Sequence, residues 1–151
     1  MGTWLKMADR LSTDERLTQL NTEQIQAVID MLCLVIYADN RMSALEEVEF
    51  ESSLLKMPWI ENKEQIVQAR INTASSTARY ANTPEDRKTI ATKAAKFLEH
   101  DDVNEAVFGL AASMAYSDLV LHAREAEVLK VLASALNIDE PRAQAIQSQF
   151  A

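Results

Sequence analysis

Glycine is nearly missing from this chain. Gly2 and Gly109 are the 2 that occur in 151 residues, where average usage would supply roughly ten. That scarcity excludes the glycine-rich loops that cradle phosphate and the nucleophile elbow of serine hydrolases. There are 3 prolines, so helix breakers are few and an all-α fold is expected. A single cysteine, Cys33, excludes an intramolecular disulfide and a cysteine-based zinc site, and suits a reducing compartment. Basic residues are outnumbered 15 to 23, for a net charge of −8. So acidic a chain lacks the basic surface that neutralises phosphates, and no nucleic-acid partner is expected. Long apolar runs are missing too. The longest, residues 31–38, falls far short of the roughly 20 residues that span a bilayer. The N-terminus has no signal-peptide core, and Lys6 stands where myristoylation needs Ser or Thr. A cytoplasmic location is the expectation.

The composition present is that of a folded domain, 48% apolar and 25% charged. Start and stop signals divide the chain into about seven helices: a leading arm over 1–21, then one helical domain over 22–151. The arm carries the stripe Trp4, Leu5, Ala8 and Leu11. A helix starting near Thr22 follows the helical period through Ile25, Val28, Ile29, Leu32, Val35 and Ile36, with Leu34 and Tyr37 widening the stripe. Ser43-Ala-Leu-Glu46 has capping-box spacing and opens a helix with Leu45, Val48, Leu54 and Leu55 inward, which Pro58 ends. Asn62 is a candidate cap for the next, with Ile66, Val67, Ile71, Ala74 and Ala78 inward. Thr83-Pro84-Glu85-Asp86 combines a cap, a proline in the first turn and two acids at the positive end of the helix dipole. The helix it opens is expected to bury Ile90, Ala94, Phe97 and Leu98. Asp102 is expected to cap a helix with Val103, Ala106, Val107, Leu110 and Met114 inward. The last two helices begin near His122, with Val128, Leu129, Leu132 and Leu136 inward, and at Asp139.

The chain also repeats itself. Asp118 follows Asp39 by 79 residues, and Glu125 follows Glu46 by the same interval. Tyr37-Ala-Asp39-Asn-Arg-Met42-Ser43-Ala-Leu-Glu46 thus lies over Tyr116-Ser-Asp118-Leu-Val-Leu121-His122-Ala-Arg-Glu125. Each copy reads as a core helix, a tight connection and a glutamate one turn into the next helix. A duplicated helical hairpin about a pseudo-two-fold is expected.

These motifs resemble the TerB-like family, the tellurite-resistance helical module. Its usual signature is Ala-Asp-Gly, an apolar residue two positions on, then Ser-x-x-Glu. Ala38-Asp39-Asn40-Arg41-Met42-Ser43-Ala44-Leu45-Glu46 matches well, and Ser117-Asp118 through Glu125 matches more loosely. Asn40 replaces the family glycine, and asparagine tolerates a left-handed backbone; Leu119 replaces it in the second half and does not tolerate one cheaply. The resemblance runs from Ile25 to the end. It implies an all-helical, non-enzymatic module of the tellurite or chemical-stress response. It also implies divalent-metal binding through acidic turn residues, or service as a co-chaperone or scaffold for a protein partner.

Asp39, Glu46, Asp118 and Glu125 are therefore the candidate metal ligands. A carboxylate at a helix C-terminus faces the negative end of the dipole, a cost of roughly 0.3–1 kcal/mol. A divalent cation shared with Glu46 would offset it. So would backbone N–H donors, with Glu46 capping Ser43, and two carboxylates are few ligands for a hard cation. Both accounts stand at this point.

Other candidates fall away. Ferritin-like di-iron chemistry needs Glu-x-x-His twice, and Phe97 and Leu119 precede His100 and His122 by three. No EF-hand fits, because Ala44 takes its glycine position. Glu99-His100-Asp101-Asp102 is an oxygen-rich turn, read as a helix stop followed by a cap. Cys33, in an apolar run with no basic neighbour, reads as a small hydrophobe. Arg79, Arg87, Lys88, Lys93 and Lys96 form a basic stretch, whereas residues 46–51 hold four acids. Such asymmetry describes either a docking surface for a partner or ordinary solvated faces. The leading stripe suits peripheral membrane association or a partner groove, but its mixed charge favours folding back onto the domain.

Overall fold

The structure, a computed structural model, describes residues 20–37, 64–81, 83–115 and 123–149, with Val48 and Ser52 besides. Among these residues the protein is all-α, with six helices and no strand. They are α1 (Thr22–Ile36), α2 (Glu64–Arg79), α3 (Pro84–Ala95), α4 (Asp101–Ala115), α5 (Ala123–Ala135) and α6 (Glu140–Ser148). The leading stripe and the turns at 38–47 and 116–122 lie outside the described residues, as does most of the helix expected after Ser43, of which Val48 and Ser52 are helical; Val48, expected inward, is 59% exposed. No helix among the described residues is long and apolar enough to cross a membrane.

α1 is the hub, and its sequence says why. Apolar residues occupy nearly every position from Ile25 to Val35, so the helix cannot present one face to a core and another to water. It is enclosed instead by α2, α3, α4 and α5. Ile25, Val28, Ile29, Met31, Leu32, Cys33 and Val35 are completely buried, each large aliphatic side chain contributing roughly 1.5–3 kcal/mol of transfer free energy. The helix starts in a reciprocal capping box. Asn21 Oδ1 accepts from the Gln24 amide at 2.9 Å, and Gln24 Oε1 accepts from the Asn21 amide at 3.0 Å. It ends at Ile36, with Tyr37 as C-cap, so it stops short of Asp39.

α4 is the second buried helix, with Val107, Phe108, Leu110, Ala111 and Ala112 fully enclosed against α1, α5 and α6. The 79-residue interval carries Thr22–Ile36 onto Asp101–Ala115 residue for residue, so α1 and α4 share bounds as well as burial. α4 does not begin where the sequence implied. His100 O accepts the first helical bond, from the Asn104 amide at 2.8 Å, which makes His100 the cap. Asp102 lies inside the first turn and accepts only from the neighbouring Val103 amide.

In α3 the expected cap holds: Thr83 Oγ1 accepts from the Asp86 amide at 3.1 Å, ahead of Pro84. Its inward face is rotated from the expected one. Arg87, Ala91, Ala94 and Leu98 are buried, whereas Phe97, expected in the core, is 43% exposed and Ile90 is half-buried. α5 buries Val128, Leu129, Leu132 and Leu136 as expected. It ends in a Schellman motif, with Asn137 at φ 58°, the Ile138 amide donating to Ala133 O, and the Asn137 amide donating to Ser134 O. Asp139 then caps α6 through the Arg142 amide at 2.9 Å.

Gly109 sits in α4 on the side that meets Ile146 of α6. A Cβ there would lie 3.7 Å from Ile146 Cγ2, an ordinary contact. Gly109→Ala is therefore expected to raise stability by about 1 kcal/mol, the helix-propensity difference. Urea denaturation measures it. A loss would mean that the α4–α6 spacing depends on the missing methyl.

Candidate ligand-binding cleft

Of the four acids expected at a metal site, Asp39, Glu46 and Asp118 lie outside the described residues. Glu125 is in the first turn of α5, half-buried, where a carboxylate meets the favourable end of the helix dipole. Cys33 is buried inside α1, and His100 is exposed. Among the described residues no three His, Cys, Asp or Glu side chains gather as a metal-sized group.

The described residues do form a cleft that the sequence reading did not anticipate. It lies where α1, α2 and α3 meet and has a volume of about 570 Å³, within the range of small-molecule sites. Ala27, Ile90, Ala94 and Phe97 supply its apolar surface, while Asp30 of α1 and Lys93 of α3 bring opposite charges to it. Asp30 is half-buried and accepts a hydrogen bond from Gln26 Nε2, one turn earlier, at 2.9 Å. Burial pushes its carboxyl above the usual 3.8, against the smaller opposing effects of the Gln26 hydrogen bond and the Lys93 charge. Among the described residues the other charged lining group is Glu23, exposed at the start of α1. α2 contributes Thr73 and Thr77.

Four threonines line the cleft, Thr22, Thr73, Thr77 and Thr89, and the hydroxyl protons of the last three are committed. Thr73 Oγ1 donates to Ala69 O at 3.1 Å, Thr77 Oγ1 to Thr73 O at 3.0 Å, and Thr89 Oγ1 to Glu85 O at 2.9 Å. A carbonyl oxygen can only accept, so each hydroxyl has spent its one donor. What these oxygens still offer a ligand is lone pairs.

No family model matches the chain, and no curated protein or solved structure matches it. The TerB-like resemblance stands on the motif residues alone.

α3 is held in place as a wall of the cleft by Arg87, which sequence reasoning had assigned to a basic outer face. Its side chain is buried, the residue only 4% exposed. Nη1 donates to Ala81 O at 3.2 Å and Nη2 to Glu127 Oε1 at 2.7 Å. The arginine thus ties the chain ahead of α3, α3 itself and α5 together. Its inward position was detectable, because Arg87, Ala91, Ala94 and Leu98 are spaced four, three and four residues apart. Asp30 offered a weaker signal, a lone acid within an apolar helix with Gln26 one turn before it.

The burial of Asp30 has a consequence for stability. A carboxyl whose pKa is raised in the folded state binds its proton more tightly there than in the unfolded chain. Its contribution is therefore greatest below 3.8, the unfolded value, and is lost as pH rises through the folded value. Asp30→Asn keeps an oxygen for Gln26 and removes the charge. The variant is expected to be more stable than wild type at pH 7, with the difference shrinking toward pH 4. A gain that does not vary with pH across urea titrations would contradict this.

Proposed function

We propose that the protein is a non-enzymatic TerB-like helical module of the tellurite or chemical-stress type, working in the cytoplasm. In this reading it holds a divalent cation through Asp39 and Glu46 in one turn and Asp118 and Glu125 in the other. The observation that supports it is the pairing of α1 with α4. The two helices that lead toward the repeated turns have the same length at the 79-residue interval, and both are enclosed by other helices. A duplicated hairpin requires such a pair. It would bring each turn out of the core on an equivalent helix, where paired carboxylates raise one another's pKa until a cation relieves the repulsion.

Thermal melts with and without calcium, magnesium, manganese or zinc test this reading, since a ligand of the native state raises Tm through linkage. Wild type is expected to gain stability with one of these ions. Asp39→Asn should abolish the gain while leaving the metal-free protein nearly as stable. If Asp39→Asn lowers stability equally with and without metal, the carboxylate is an acceptor for backbone N–H groups instead. No shift in wild type would leave the second reading, a co-chaperone or scaffold domain that binds a protein partner without metal. Tyr80, 78% exposed at the end of α2, and Phe97 favour it, because exposed aromatic side chains are the common anchors of protein interfaces.

A further inference from the structure

A carboxylate and an ammonium line the α1–α2–α3 cleft without pairing. Asp30 takes its hydrogen bond from Gln26, and Lys93 acts on it only through space. Their charges are held on different helices with a cleft of about 570 Å³ beside them. The groups around them are sorted by chemistry. The hydroxyls of Thr73, Thr77 and Thr89 offer acceptors alone, which suits a donor-rich cationic group. Ala27, Ile90 and Ala94 offer hydrocarbon, and Phe97 carries an aromatic ring exposed for stacking.

The other half of the chain indicates that this opening is not a requirement of the fold. Gln26 and Asp30 of α1 correspond to Glu105 and Gly109 of α4 at the 79-residue interval. There α6 covers the face: Arg142 Nε and Nη2 both donate to Glu105 Oε1, at 3.0 and 2.6 Å, and Ile146 packs over Gly109. At the corresponding place on α1 an acid lines an open cleft. Half-burying a carboxylate costs stability unless something compensates it, and a ligand that brings an ammonium group would.

We propose that this cleft binds a small zwitterion with an apolar side chain, an amino acid in its chemistry, with its ammonium on Asp30 and its carboxylate on Lys93. The side chain lies along Ile90 and Ala94 and stacks on Phe97. A ligand with both charges satisfies the two cleft groups at once, whereas a plain amine would compete with Lys93 for Asp30 and a plain acid would compete with Asp30 for Lys93. The proposal uses none of the acids of the repeated turns and needs no metal.

Calorimetric titration of the full chain with L-tryptophan, tryptamine and indole-3-propionate tests it, because the last two lack the carboxylate and the ammonium respectively. L-tryptophan is expected to bind at least tenfold more tightly than either analogue. Asp30→Asn should remove its advantage over indole-3-propionate, and Lys93→Gln its advantage over tryptamine. Phe97→Ala should weaken all three. Asp30 variants are expected to fold, being relieved of a half-buried charge, so lost binding there is not lost structure; chemical shifts of the α1 amides verify this. If all three compounds fail to bind at millimolar concentration, the proposal is overturned. It is equally overturned if tryptamine matches L-tryptophan, since Lys93 then has no part, or if Asp30→Asn binds L-tryptophan as wild type does.

Discussion

Truncating Phe108 to alanine is expected to lower the unfolding free energy by about 3–5 kcal/mol, the usual loss for a buried phenylalanine. Phe108 is among the largest side chains in the protein that are completely buried. It lies midway along α4, which packs on α1, α5 and α6. The small residues around it leave little to flow into the space its ring vacates. Ala106, Ala111, Ala112 and Gly109 are already at or near minimum size, so the cavity should persist rather than collapse. Urea denaturation gives the magnitude, and Phe108→Leu provides the control. The leucine variant should lose much less, because most of the buried volume is kept. A loss under 1 kcal/mol for alanine would mean that α4 is not a central helix.

Arg87→Ala is expected to be the costliest change on α3, at roughly 2–3 kcal/mol. The substitution removes both donors that serve Ala81 O and Glu127 Oε1, along with the packing of the arginine stem. Glu127 keeps a side chain 40% exposed, so water replaces part of what it loses. The cost therefore stays below the 3–5 kcal/mol typical of an ion pair buried on both sides. Arg87→Lys should not restore stability, since one ammonium cannot reproduce a fork that reaches two acceptors on different segments. A double-mutant cycle with Glu127→Gln separates the ion pair from the Ala81 contact. A wild-type-like melt for Arg87→Ala would mean that the arginine does not fasten α3. Because α3 carries Lys93 and Phe97, a destabilised Arg87 variant should also bind cleft ligands more weakly.

Helix positions were legible because their signals are local. Thr83-Pro84 and Asp139 announce helix starts through groups that satisfy amides within the same turn. The near-continuous apolar run of α1 required burial on several sides, and the structure encloses it. The 79-residue interval in the sequence carries one buried helix onto the other. The misassigned residues are those whose place depends on a partner distant in the chain. Phe97 has apolar spacing suited to the core, but α3 is rotated so that Arg87 turns inward, where the Ala81 carbonyl and Glu127 accept from its two terminal nitrogens while Nε has no partner. No local pattern reveals a carboxylate 40 residues away. Asp102 has the residue type and position of a cap, yet the His100 carbonyl receives the first bond, because a helix can begin two residues earlier without any change in composition.

By itself, then, the sequence determined the fold class, the helix starts at Thr83 and Asp139, and the burial of α1, since each follows from breaker content, capping chemistry and hydrophobic period along one segment. Tertiary structure alone decided that Arg87 is an internal fastener, that Phe97 faces outward, and that Asp30 and Lys93 share a cleft with four threonines. Those features arise where three helices meet. Their geometry depends on how each helix is turned about its own axis, and that rotation is set by packing between segments rather than by the period within any one of them.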